Sequence, residues 1–192
     1  VNINTTRIFG KDPTELLSLA EAEIEGRRQV HKVIGFLKRH VPGFAKAHLI
    51  STGCQIGIRE TRRIVGEYTL TGDDVLQARR FPDAVARGSY PIDIHDPSGK
   101  HWGVQFVKDG GAYDIPYRCL VPQAIERLMV AGRCISADHQ AIGSTRVMAP
   151  CMATGQAAGL AAALSVQQNV APRHLNTDQL RAALRAQKAN LG

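Results

Sequence analysis

Leu128-Met129-Val130-Ala131, closed by Gly132-Arg133, opens the stretch LMVAGRCISADHQAIGSTRVMAPCMATGQAAGLAAAL that runs to Leu164, and its reading decides the fold. A short apolar run bounded by glycine reads as a strand buried on both faces. A loop of small and polar residues, Cys134 to Ser144, follows it. Next comes a helix built almost wholly of small residues: Ala153, Gly155, Ala157, Ala158, Gly159 and Ala161 to Ala163. Two glycines inside a helix cost roughly 1 kcal/mol each relative to alanine, so a tertiary gain must offset them. Gly155 and Gly159 share one face with Ala158 and Ala162, and that face predicts close approach of another backbone or a ligand. A tightly packed core helix with no ligand duty satisfies the same pattern. Pro150 is tolerated only near a first turn, which sets the helix start at about Thr145.

Three further motifs accompany this stretch: Tyr113-Asp114-Ile115-Pro116-Tyr117-Arg118 ahead of it, Gly57-Ile58-Arg59-Glu60-Thr61-Arg62-Arg63, and, more weakly, Asn4-Thr5-Thr6-Arg7. With Gly132-Arg133 and Gly155-Gln156-Ala157-Ala158-Gly159, they resemble the C-terminal flavin-contacting segment of the FAD-dependent oxidoreductases of the glutathione-reductase type. The resemblance implies FAD as cofactor, with Gly132 and Arg133 beside its ribityl chain. It also implies that Thr145, Arg146, Val147 and Met148, at the head of the small-residue helix, face the flavin ring. Backbone amides there, with the Arg146 guanidinium, would meet the negative charge that builds on the ring during reduction. Arg133 departs from the acid that many relatives carry at its position. A second departure is larger: none of the 18 glycines forms G-x-G-x-x-G, the loop that seats a dinucleotide pyrophosphate on a helix N-terminus. The chain is therefore expected to be the C-terminal portion of such an enzyme, binding FAD weakly or not at all by itself.

Length and composition are consistent with this. A chain of 192 residues, 44% hydrophobic and 21% charged, suits one domain or slightly more. No apolar run approaches the roughly 18 residues of a membrane span, so no membrane partner is expected. Val1 to Gly10 shows neither an initiator Met nor an apolar signal core, which again suggests a processed or partial chain. The net charge is +7, but the pairs Arg27-Arg28, Arg62-Arg63 and Arg79-Arg80 are dispersed among acids, and only 5% of residues are aromatic. That pattern argues against nucleic acid and suits an anionic small molecule. Cys54, Cys119, Cys134 and Cys151 show no metal-ligand spacing, so no metal is expected. They read as buried free thiols of a cytoplasmic protein, with a Cys134–Cys151 redox pair as the alternative.

Along the chain, Asp12-Pro13-Thr14-Glu15 signals a helix start, and apolar positions from Leu16 to Val41 continue a period near 3.6 as far as His40. His48–Ser51, Gln55–Ile58 and Arg62–Leu70 read as strands. Arg59 and Arg62, near a strand end, are candidates to clamp a substrate carboxylate, the alternative being a salt-bridged surface with Glu60 and Glu67. Thr71 caps a short helix to about Arg80, and Asp83 to Arg87 suggests one more turn. Tyr90–His95 and His101–Val107 read as strands, with turns at Asp96–Gly99 and Asp109–Gly111. Asn176 caps a last helix to about Ala189. His139 is the candidate for proton transfer or substrate orientation, because its unperturbed pKa is near 6.5. A loop histidine with no such duty is the alternative.

The expected fold is α+β: a long N-terminal helix, loop-rich antiparallel strands, then a buried strand and a Gly/Ala-rich helix of an incomplete FAD-binding domain. Residues 1–118 would form a substrate or cap region and 119–192 the end of the FAD domain. The expected reaction is hydride transfer between a small organic substrate and the flavin. A non-catalytic scaffold that keeps the fold remnant is the alternative. The partners implied are the substrate and the absent N-terminal half or a partner chain. An apolar patch left open there predicts self-association.

Overall fold

The computed structural model describes residues 1–95 and 102–192, so the expected turn at Asp96–Gly99 lies outside the described residues. The architecture is α+β, in two compact units, Val1–Thr61 and Arg62–Gly192.

The first unit is one helix, α1 (Leu16–His40), with extended chain on either side. Its 25 residues span about 37 Å. The start is Leu16, later than the Asp12-Pro13 signal suggests. Asp12 instead closes the preceding turn, its Oδ1 accepting from the Thr14 amide and hydroxyl at 2.8 Å. Lys38, Arg39 and His40 fill the last turn, where the helix dipole favours cations. Only Ala22 and Gly26 of α1 are buried. Gly26 is required there, since a Cβ would stand 3.2 Å from the Ile8 side chain and 3.3 Å from that of Ile56. The strands expected at His48–Ser51 and Gln55–Ile58 do not form. A strand needs a ladder partner, and the Ile56 amide instead donates to Glu23 Oε1 at 2.6 Å.

The second unit holds two small antiparallel sheets. β1 (Ala84–Gly88) pairs with β4 (Tyr113–Pro116), and β2 (Ile92–His95) pairs with β3 (Trp102–Gln105). The segment expected to be a helical turn, Asp83 to Arg87, is thus mostly β1. Arg62–Leu70 forms no strand, only isolated bridges from Gly66 to Pro122 and from Leu70 to Ala137. α2 (Gly72–Leu76) opens with the capping box read from Thr71 and Asp74, but it stops at Leu76 and not near Arg80. α3 (His139–Thr145) replaces the expected loop, and α4 (Met148–Gln168) starts three residues after Thr145. α5 (Thr177–Ala186) begins as read, with Asn176 Oδ1 accepting from Asp178 and Gln179 at 2.9 and 3.1 Å.

The core gathers Leu70, Ile92, Tyr113, Ile115, Leu120, Ile142, Leu180 and Leu184, all fully buried. α4 enters it through Ala157 and Ala161, against β1. The glycine face does the opposite of what its composition suggests. Gly155 and Gly159 are exposed, and a Cβ on either would meet nothing within 4 Å. Leu128–Ala131 is no buried strand either: Leu128 is exposed, Met129 and Val130 are half-buried. Among the described residues, one backbone bond, Val130 N to Leu120 O at 2.9 Å, ties this run to its surroundings in ladder fashion. No single helix among the described residues is long and apolar enough to cross a membrane.

Asp74 anchors the start of this unit. Its carboxylate, 2% exposed, accepts from Arg79 Nη1 and Tyr68 Oη at 2.8 Å and from the Thr71 amide at 3.0 Å. Burial pushes the carboxyl up, but Arg79, Thr71 and Tyr68 outweigh it and hold it below its ordinary value. A depressed carboxyl stabilises the fold above its unfolded pKa of about 3.9, and that contribution is lost as pH falls through the folded value. Asp74→Ala should therefore cost about 3 kcal/mol in chemical denaturation at pH 7. The gap from the parent should shrink below about pH 4, and a gap that holds its size into acid would rule the assignment out.

Candidate cofactor and substrate site

The corner between α3 and α4, where the two helices bend by 92°, gathers most of the residues singled out for cofactor binding. Three contacts set the position of α3. Asp138 caps it by accepting from Ala141 N at 2.7 Å, and its other oxygen accepts from Gly72 N at 3.0 Å, joining α3 to the head of α2. Gly143 lets α3 lie on β2, since a Cβ would stand 3.0 Å from Ile94 Cγ1. Ser144 donates to the Tyr90 carbonyl at 2.5 Å and lies 2.6 Å from Tyr113 Oη. Burial pushes the Tyr113 phenol up to about 12, so it stays protonated at neutral pH and serves as a structural donor or acceptor.

At the end of α3, Thr145 is 1% exposed, and its Oγ1 is buried with no hydrogen-bond partner among the described residues. The Arg146 amide is already used, donating to Ile142 O at 3.2 Å, and its guanidinium donates to Asp93 O at 2.6 Å. What Arg146 can offer a ligand is charge rather than its backbone N–H. Val147 is the N-cap of α4, and Met148, 82% exposed, is its first residue. The open amides at this helix head accordingly shift to Met148 and Ala149, because Pro150 at the third position has none. Cys151 folds back over the corner, its thiol donating to Arg146 O at 3.4 Å. That contact satisfies a carbonyl that the end of α3 leaves open.

Gly132 takes φ +76°, the left-handed region that favours glycine, and its amide donates to Thr154 Oγ1 at 3.0 Å. The turn Gly132–Cys134 is thereby pinned to the first turns of α4. Arg133 is exposed beside it. All four cysteines are free, and Cys54, read as buried, is exposed. Burial raises the Cys151 thiol above its ordinary value despite the nearby Arg133, so it is no ready thiolate. His139 is exposed at the first position of α3. Arg59 lies near the end of the first unit and Arg62 opens the second; both are exposed, and neither lies in a strand. Among the described residues no cluster of His, Cys, Asp or Glu could hold a metal ion.

A cleft of about 330 Å³ runs along the opening turns of α4. Arg87 and Ser89 line one side, Ala149, Ala153 and Gln156 another, and Asn190 closes it. Arg87 is not legible as a site residue in the sequence, because Asp83 to Arg87 reads there as a turn. Val85 and Ala86 between Pro82 and Gly88 were the available signal for a short buried strand.

The sequence model of one family, described as FAD dependent oxidoreductase, matches residues 1–184. The chain belongs to that family. FAD is accordingly its cofactor. No curated protein and no solved structure matches the chain. The residues at the α3–α4 corner fit the flavin end of FAD: an exposed helix head, a nearby guanidinium and an orphaned buried hydroxyl stand together. No glycine-rich loop accompanies them for the pyrophosphate. Thr145→Val removes the orphaned hydroxyl at constant shape. It should stabilise the chain without cofactor by about 1 kcal/mol, since a buried unpaired hydroxyl is costly. If the hydroxyl faces FAD, the same change should weaken FAD binding about tenfold, read by equilibrium dialysis. A destabilised variant with unchanged retention would remove Thr145 from the site.

Proposed function

We propose that this chain is the C-terminal portion of an FAD-dependent oxidoreductase that transfers a hydride between a small organic substrate and the flavin. Cofactor binding is completed by an N-terminal half carrying the glycine motif, in the same polypeptide or in a partner chain. The family match over residues 1–184 carries this reading. Two surfaces support the second half of it. Leu128 to Val130 is an apolar run with the composition of a central strand and no ladder. On α4, Met148, Met152, Gly155, Gly159, Ala162 and Val166 form one exposed, largely apolar stripe at spacings of three and four. An arriving sheet would supply the ladder for the first and close cover for the second.

Bound flavin supplies the two-electron chemistry. The chain's own part is electrostatic and positional. Amides of Met148 and Ala149, with the α4 dipole, favour negative charge at the helix head by about 0.3–2 kcal/mol. Arg146 adds a full positive charge at the same corner. Gly132, in its left-handed conformation, holds the turn beside Cys151 at the start of α4, and the charge of Arg133 would favour a contact with the ribityl chain. His139, at the mouth of α3, holds or takes the substrate proton. Arg59 and Arg62, three residues apart in sequence, would clamp a carboxylate of the substrate.

The decisive measurement is the intact mass and visible spectrum of the natural gene product. A longer product with bound flavin is the expected result. A colourless product of this length that ignores added FAD would replace the enzyme reading with the non-catalytic scaffold. A second test uses the open helix face. Gly155→Leu and Gly159→Leu should stabilise the isolated chain by about 0.5–1 kcal/mol each, since leucine is the better helix former and meets nothing there. In the full-length protein the same changes should abolish flavin retention by blocking the docked sheet. Retention unchanged by both would leave the α4 stripe without a partner.

A further inference from the structure

We infer that Cys134 and Cys151 form a redox-active dithiol at the head of α4, which closes to a disulfide with a small organic disulfide of the glutathione class as oxidant. The inference stands on the two thiols and needs no flavin.

Position is the first ground. Cys134 ends the turn Gly132–Cys134, and Cys151 lies in the first turn of α4. Both stand against the same glycine. A Cβ on Gly132 would be 3.8 Å from the Cys151 sulfur and 3.9 Å from its Cβ. The Cys134 thiol donates at 3.4 Å to the carbonyl of Ala131, whose peptide bond leads into Gly132. The turn is tied to the helix, because Gly132 N donates to Thr154 Oγ1 at 3.0 Å and that hydroxyl donates to the Pro150 carbonyl at 2.9 Å. Two thiols held against one glycine have a high effective concentration for each other. That favours an internal disulfide over two mixed ones.

Availability is the second ground. Both cysteines are half-buried, whereas Cys119 is fully buried and Cys54 is exposed in the first unit. Each thiol donates to backbone carbonyls at 3.4 Å or more, and S–H is a weak donor, so little is lost when the protons leave. Burial raises the Cys151 thiol, Arg133 lowers it and the nearby Cys134 raises it again, so the two sulfurs feel each other's charge.

The raised Cys151 thiol is the slower nucleophile, so Cys134 takes the first step. Cys134 Sγ bonds to one sulfur of the small disulfide, whose S–S bond breaks and releases one thiolate. Cys151 Sγ then attacks Cys134 Sγ, and the second small thiolate leaves. The two cysteine protons pass through solvent to the two leaving thiolates. The cysteine pair is oxidised by two electrons, and the small disulfide is reduced to two thiols. A raised thiol is a poor leaving group, so the closed link persists until a strong reductant opens it.

The test equilibrates the 192-residue chain with oxidised and reduced glutathione, traps free thiols with an alkylating agent and digests with trypsin. Arg133 and Arg146 put the two cysteines in separate peptides, 134–146 and 147–173, so a disulfide between them joins two fragments. The expected result is the joined pair, separated again by dithiothreitol, while Cys54 carries glutathione. Unfolding in urea should lower the yield of the joined pair by about tenfold or more, since the effective concentration depends on the fold. Cys151→Ser should leave Cys134 as a lasting mixed disulfide with glutathione. If that variant misfolds, the comparison with urea on the parent chain still decides. Glutathione on both cysteines with no joined pair, no reaction at Cys134, or a joined pair equally abundant in urea would overturn the inference. No flavin enters the exchange, so a colourless natural product defeats the function proposed above without touching this result, and the reverse also holds.

Discussion

Alanine lets α4 lie almost against β1, and the larger unit depends on that closeness. Ala157 and Ala161 on the helix and Ala84 and Ala86 on the strand are all essentially fully buried. Any larger side chain at these positions would push the layers apart, because protein interiors are packed without slack. The two-stranded sheets could not stand alone, since a lone hairpin is marginal in water. They persist because helices press on them at close range, α4 on β1 and, through Gly143, α3 on β2.

With so little ladder, irregular backbone must find its partners elsewhere, and buried carboxylates supply them. Asp74 ties the start of α2 to Tyr68 and Arg79. Asp83 takes Arg118 Nε at 2.9 Å, and Asp138 bridges α2 and α3. Each of these acids has its acceptors matched by backbone amides, arginine or tyrosine. Asp114 is the exception, because two arginines compete for one of its oxygens. The last residue, Gly192, lies on the same two arginines, a Cβ there standing 2.8 Å from Arg87 Nη1 and 3.0 Å from Arg80 Nη1.

The corner of α3 and α4 is built to a different rule. Asp138, Gly143 and Ser144 fix α3 from three directions, so the chain must turn sharply to begin α4. That turn exposes the head of α4 and strands the Thr145 hydroxyl. The same helix is saturated on its alanine face and bare on its glycine face. On the function proposed above both features have a common sense, since a helix that met a cofactor at its head and a second layer along its side would have to keep both open.

The sequence by itself determined what is local. The capping box at Thr71 and Asp74, the Asn176 cap of α5, the glycine turn after Asp109 and the end of α1 at His40 rest on contacts within a few residues, so short windows contain them. The family motifs were legible for a related reason: glycine, arginine and proline in fixed order mark backbone conformations rather than distant partners. Tertiary structure decided everything that needs a second segment. An apolar run such as Leu128–Ala131 asks for cover but does not name a ladder, and none forms. Ala84–Gly88 becomes a strand because Tyr113–Pro116 arrives beside it. His139–Thr145 becomes a helix because Ile142 is buried and Gly143 lets it lie on β2, while Asp138 caps its start. Arg87 meets Asp114 only once β1 and β4 pair. Pairing, burial and shared charge are properties of two or more segments at once, and no window of sequence carries them.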